Sequence, residues 1–140
     1  KFPLKRHHPV LPSDEIRKRI EESLESVGLP ETIDLMPSEL SGGMCKRIAL
    51  ARTIIMKPDI ILYDEPTTGL DTITAREISE LIVSIQQSTK CASIIITHDI
   101  ACAKLTSDRL LILQDGKIGA EGSFDELSES KEPWVKAFFN

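Results

Sequence analysis

The stretch that most constrains this chain runs from Ser38 to Asp71, SELSGGMCKRIALARTIIMKPDIILYDEPTTGLD. It joins a Ser-Gly-Gly turn, a basic amphipathic segment, an apolar run ending in Asp64-Glu65, and a second turn closing on Asp71. A Ser-Gly-Gly turn entering a helix gathers backbone N–H groups at the positive helix end, which favours bound phosphate. An apolar strand ending in two carboxylates carries charged oxygen ligands to a sheet edge, where open α/β sheets bind their ligands. Phosphate donors on one side and carboxylates on the other suit magnesium–nucleotide chemistry.

The flanking sequence reads as support for that stretch. Lys1–Pro12 is basic and proline-broken, and reads as a solvated loop. His7 and His8 can ligate metal, but no nearby Cys, Asp or Glu cluster completes a site. Ser13 is placed to cap a helix to about Val27, with Ile16, Ile20, Leu24 and Val27 at the helical period, and Gly28, Leu29 and Pro30 ending it. A helix over Ser41–Met56 has Ile48, Ala49, Ile55 and Met56 as its apolar face and Lys46, Arg47 and Arg52 as its charge. Lys46 and Arg47 fall in the first turns after Gly43, which suits a supporting role near phosphate; a solvated face is the plainer reading.

Ile60–Tyr63 reads as a strand buried on both faces, as in parallel sheets. A helix from Asp71 or Thr72 to about Gln87 turns Ile78, Leu81, Ile82 and Ile85 inward, and Ser93–Thr97 is the next strand. A short helix follows from Asp99 to Lys104, then a strand at Arg109–Leu113. Asp115-Gly116 is a hairpin signal leading into a strand at Lys117–Ala120. Ser123-Phe124-Asp125-Glu126 matches a capping box, and Trp134, Phe138 and Phe139 are apolar enough to dock against the domain. Strand–helix–strand alternation predicts an α/β fold with a mainly parallel sheet flanked by helices.

Bulk properties exclude several classes. The 140 residues suffice for one domain, and 41% hydrophobic with 28% charged residues fits a globular chain and not a disordered one. A net charge of −5 offers no nucleic-acid footprint, and no apolar run reaches the length of a membrane span. Cys45, Cys91 and Cys102 form no C-x-x-C pair, and an odd, scattered set suggests reduced thiols and a cytoplasmic setting.

Four segments resemble the motifs of the ABC ATPases, in that family's order and spacing. Leu40-Ser41-Gly42-Gly43-Met44 resembles the signature motif, and Ile60-Ile61-Leu62-Tyr63-Asp64-Glu65-Pro66 the Walker B strand with its catalytic glutamate. Thr67-Thr68-Gly69-Leu70-Asp71 resembles the D-loop, and Thr97-His98-Asp99 the switch histidine. The resemblance implies a partial P-loop NTPase fold: residues 1–56 in the helical signature subdomain, which faces membrane-embedded permease subunits, and residues 57–140 in the core sheet and C-terminal helices. It also implies ATP and Mg²⁺ as cofactors, and a second ATPase subunit as partner in a head-to-tail homodimer. On that pattern Ser41, Gly42 and Gly43 contact the γ-phosphate of nucleotide held by the partner. Asp64 helps hold Mg²⁺, Glu65 polarises the attacking water, His98 senses the γ-phosphate, and Asp71 couples the two sites. The setting implied is cytoplasmic, peripheral on the inner face of the cytoplasmic membrane.

Two of the family's motifs do not occur. No G-x-x-x-x-G-K-[ST] phosphate loop is present, Lys46 after Gly42-Gly43 has the wrong spacing for one, and Gln86-Gln87 lie on the wrong helix for the glutamine loop. Both motifs precede the signature in the family, and the chain opens on Lys1 instead of Met. The expectation is the C-terminal portion of a longer ATPase, inactive alone. Gly43-Met44-Cys45-Lys46-Arg47, Tyr63, Lys131-Glu132-Pro133-Trp134-Val135 and Phe2-Pro3-Leu4 resemble the branch that powers lipid transport between bacterial membranes, with substrate-binding proteins of the mammalian-cell-entry type. Nothing physical explains Cys45. Two other classes stay open: an ABC ATPase serving translation or DNA maintenance, and a catalytically silent interaction module.

Overall fold

The computed structural model describes Leu4, Arg6 and residues 10–139. The expectations for His7 and His8 lie outside the described residues. Helix α1 spans Ser13–Ser26, and its N-cap is Pro12, not Ser13, with no side-chain cap. Pro12 sits at φ −58°, ψ 150°, and its carbonyl accepts the first helical bond from the Ile16 N–H at 3.0 Å. The fixed proline ring thus starts the helix one residue before the serine can cap it. Ile16, Leu24 and Val27 are buried as the period predicts, with Ile20 packed beside them.

Helix α2 spans Gly42–Ile54, capped by Ser41, whose Oγ accepts from the Met44 N–H at 3.2 Å. Its buried residues are Leu50 and Ala51, with Ile48 and Ile54 partly covered, while Ala49 is exposed. The expected face of Ile48, Ala49, Ile55 and Met56 is therefore rotated. The helix packs between α1 and the chain beyond β1, and alanines bury so little area that they scarcely weight the pattern.

Strand β1 (Ile60–Asp64) pairs in parallel with β2 (Ala92–Ile96), joined by helix α3 (Thr72–Thr89). Ile61 and Tyr63 of β1 meet Ile78, Ile82 and Ile85 of α3 in the main core, which α1 and α2 complete. Full burial of such a side chain is worth about 1.5–3 kcal/mol each, so this cluster dominates the stability of the α/β part. The opposite face of the pair is open among the described residues: Ile60, Leu62, Ile94 and Ile96 are 57–73% exposed. The expectation of a strand buried on both faces thus holds for one face only, because α1–α3 cover a single side. Burial also pushes the Tyr63 phenol up to about 12, and neither its hydroxyl nor the nearby Ser93 hydroxyl has a well-aligned hydrogen-bond partner.

Helix α4 (Ile100–Thr106) packs on α3, and strands β3 (Leu110–Gln114) and β4 (Lys117–Gly122) form an antiparallel hairpin. Its turn holds Asp115 and Gly116 at φ 50° and 74°, the left-handed pair that a two-residue I′ turn demands. Ser123 and Glu126 close the predicted capping box on helix α5 (Phe124–Ser128), and α6 (Pro133–Lys136) follows. Ile112, Leu127 and Val135 form a second core with Trp134 and Phe139 against it. Phe138 does not dock as expected; it is 47% exposed and forms a T-shaped pair with Trp134. Among the described residues no helix is long and apolar enough to cross a membrane.

Candidate functional site

Parallel pairing brings the site together. Ile60 lies opposite Ala92 and Asp64 opposite Ile96, so Glu65 and His98 leave adjacent strands at one edge. The His98 Nδ1–H donates to Glu65 Oε1 at 2.8 Å, and the Thr68 hydroxyl donates to Glu65 Oε2 at 2.9 Å. The Glu65 N–H donates to the Ile96 carbonyl at 2.9 Å, which ties the turn to β2. Glu65 itself sits at φ +47°, in the left-handed region that non-glycine residues seldom occupy. Such strain clusters at functional positions and persists only where neighbours hold it.

Electrostatics follows from that contact. The hydrogen bond from His98, with a smaller one from Thr68, holds the Glu65 carboxyl below its usual range. Glu65 in turn raises the His98 imidazole above its ordinary value. His98 remains 80% exposed and the Glu65 side chain 32% exposed, so the pair faces solvent and is open to a ligand.

Behind the pair, the Thr67 hydroxyl, in a buried residue, donates to Asp99 Oδ2 at 2.9 Å. Asp99 Oδ1 caps α4 by accepting from the Ala101 and Cys102 N–H groups. His98 is therefore fixed between a strand and a capped helix.

The signature-like turn opens α2 and lies against Leu70 and the start of α3. Gly42 is exposed, and the first N–H groups of the helix have no intrahelical partner, so they can face an anion. Gly43 approaches α3 so closely that a Cβ on it would lie 2.8 Å from Thr74 Cγ2. Lys46 Nζ does not reach toward that turn; it donates to the Glu65 carbonyl at 3.2 Å. Arg47 donates to the Val27 carbonyl and to Glu77 Oε2. Asp71 caps α3: Oδ1 accepts from the Ile73 and Thr74 N–H groups, and Oδ2 from the Thr74 hydroxyl at 2.6 Å. Those bonds, the Thr74 hydroxyl foremost, hold its carboxyl below the usual range. Asp64 ends β1 exposed, and among the described residues no group of three metal-ligating side chains forms.

Of the residues the sequence singled out, Glu65 and His98 are in contact, and the Glu65 carbonyl is tied to the helix that Ser41, Gly42 and Gly43 begin. Asp71 is engaged in its own helix cap. Sequence reasoning missed Thr68 as the second partner of Glu65, Lys46 as its backbone partner, and Thr67 as the link to Asp99. Thr67 and Thr68 left a signal as unassigned hydroxyls inside the Thr67–Asp71 run, and Lys46 was singled out but for phosphate, not for Glu65.

Comparison with known proteins extends these observations. A family model described as "ABC transporter" matches residues 3–68. The intermembrane phospholipid transport system ATP-binding protein MlaF of Haemophilus influenzae is 42% identical over 137 residues, which is 98% of this chain and 52% of that protein. Over nearly its whole length the chain is thus similar to ATP-binding proteins of ABC transporters. Solved structures share the fold as well. CbiO1 of Clostridium perfringens, part of the transporter complex cbiONQ, is 34% identical with a TM-score of 0.82, over 98% of this chain and 55% of that one. The ATP-binding cassette MJ0796, as a dimer in a post-hydrolysis state bound to ADP and Pi, is 34% identical with a TM-score of 0.70, over 82% of this chain and 50% of that one. The chain thus spans about half the length of the ABC relatives it matches. With that, the α/β architecture is a partial P-loop NTPase fold.

Proposed function

We propose that this chain carries the signature and Walker B part of an ATP-hydrolysing subunit that drives phospholipid transport between bacterial membranes. The observation that carries the reading is the Glu65–His98 contact at 2.8 Å, at the sheet edge where two parallel strands end. The similarity to MlaF over nearly the whole chain supports the lipid branch. The dimer of MJ0796 with ADP and Pi supports a second ATPase subunit as partner; the head-to-tail arrangement comes from the family resemblance. The phosphate loop then comes from sequence outside these 140 residues, and membrane-embedded permease subunits receive the mechanical work.

In this reading each side chain has a distinct task. Ser41, Gly42 and Gly43 present N–H groups to the γ-phosphate of ATP bound by the partner. Asp64 fits Mg²⁺, because that ion keeps several waters and needs only one or two carboxylates. When bound, the ion would supply positive charge that offsets the charge of the phosphates. Glu65 orients the attacking water, and His98 holds the carboxylate while its exposed ring faces the γ-phosphate. A carboxylate held below its ordinary range is a weak acceptor of a full proton. Orientation is therefore the larger part of its work, as phosphoryl transfer relies chiefly on positioning and charge stabilisation. Asp71 holds the start of α3 against the turn that meets the second subunit.

The test is phosphate release by the complete protein carrying Glu65→Gln. The variant should bind ATP and lose on the order of 10²–10⁴ in turnover. Turnover at the parent rate would remove Glu65 from the reaction.

A further inference from the structure

We propose that Lys46 is a positioning residue for Glu65, tying the backbone of the water-orienting glutamate to the helix that begins with the signature-like turn. The inference rests on the functional reading above. Lys46 sits in the second turn of α2, half-buried, and its ammonium donates to the Glu65 carbonyl across 19 residues of sequence at 3.2 Å.

Glu65 is held by five separate bonds, and their origins differ. Its N–H is fixed to β2 through Ile96, one carboxylate oxygen to His98 beyond β2, and the other to the Thr68 hydroxyl in its own turn. Its carbonyl accepts from the Thr68 N–H at 3.3 Å within that turn and from Lys46, and of these five bonds the one from Lys46 alone comes from α2. That peptide follows a residue at φ +47°, a conformation that needs neighbours to maintain it. A cation on a carbonyl is a charge-assisted hydrogen bond, stronger than a neutral one. With the N–H held by Ile96, a restrained carbonyl fixes the backbone at Glu65 and so the Cα–Cβ direction from which the carboxylate projects.

The neighbouring cation shows that the placement is specific to Lys46. Arg47 turns the other way, to the Val27 carbonyl and Glu77, and joins α2 to α1 and α3. Helix α2 is therefore anchored on one side to the helical layer and on the other to the peptide of Glu65. In the reading above, the entrance of α2 meets one nucleotide while Glu65 of the same chain acts on the other. Lys46 then links the two within one subunit, and a shift of the entrance is felt at the glutamate.

The experiment compares Lys46→Met, which keeps length but has no donor, with Lys46→Arg, which keeps the donor, and with Glu65→Gln, all in the complete protein. Phosphate release gives kcat and KM for ATP, and a melting curve reports the fold. Lys46→Met should lower kcat on the order of tenfold with KM and Tm unmoved, as a small misplacement of a reacting group does. Lys46→Arg should restore most of the loss.

Parent kcat in Lys46→Met, beside an inactive Glu65→Gln, overturns the role of Lys46 and leaves the functional reading standing. A raised KM at unchanged kcat makes Lys46 a nucleotide contact and also overturns it. So does an equal loss of kcat in the Met and Arg variants. Parent turnover in Glu65→Gln removes the functional reading and the proposal with it. Where Lys46→Met fails to fold, Lys46→Gln, a neutral donor too short to span the distance, takes its place in the same comparison.

Discussion

Glu65 is the residue on which several independent constraints meet: a left-handed backbone, a strand-to-strand amide bond, an imidazole and a hydroxyl. Its partnership with His98 sets a pH window. The lowered Glu65 value means the pair's contribution is present above the ordinary carboxyl range and is lost as pH falls through the lowered value. The raised His98 value means that contribution is complete below the ordinary histidine range and is lost as pH rises through the raised one. Between the two, Glu65 and His98 form an ion pair. Imidazole NMR on the complete protein should therefore show His98 titrating above the ordinary range, and Glu65→Gln should bring it down. An unchanged midpoint in that variant contradicts the pairing. Glu65 was legible as one of two carboxylates ending an apolar strand, and His98 through the family resemblance; the structure brings the two into contact. The partners of Glu65 were not legible, since the reach of Lys46 and Thr68 depends on how α2 and the turn are set against β1 in space.

At the scale of elements, the contact between the start of α2 and α3 is decided by one missing methyl group. A Cβ on Gly43 would fall 2.8 Å from Thr74 Cγ2, a distance that requires something to shift. Gly43→Ala should cost about 1–3 kcal/mol by overpacking, measured by chemical denaturation. Thr74→Ser removes the offending methyl while keeping a hydroxyl for Asp71, and should recover much of the loss in the double variant. Equal stability of Gly43→Ala and the parent contradicts the close approach. Most element positions were legible because apolar period and turn chemistry agree: Asp115-Gly116 made its hairpin and Ser123 its capping box. The misplaced features have local causes. Pro12 pre-empted Ser13 as the cap of α1, and α2 packs on more than one side, which blurs its periodicity. The apolar composition of β1 correctly marked a strand but could not tell which of its faces α1–α3 leave open.

For the whole molecule, the fold class was legible from four motifs in order, and the relatives agree with it over nearly the full chain. The proposal that a second subunit completes each site comes only through the family resemblance, because a shared site leaves no periodic trace in one sequence. The most direct test mixes two inactive forms of the complete protein, one with Glu65→Gln and one with Gly42→Asp, which puts a carboxylate where the γ-phosphate should lie. In a head-to-tail dimer, one of the two sites of each mixed pair combines an intact Glu65 from one subunit with an intact turn from the other. Mixing should therefore restore a measurable part of the parent ATPase rate. A mixture as inactive as its components would contradict a nucleotide shared between subunits.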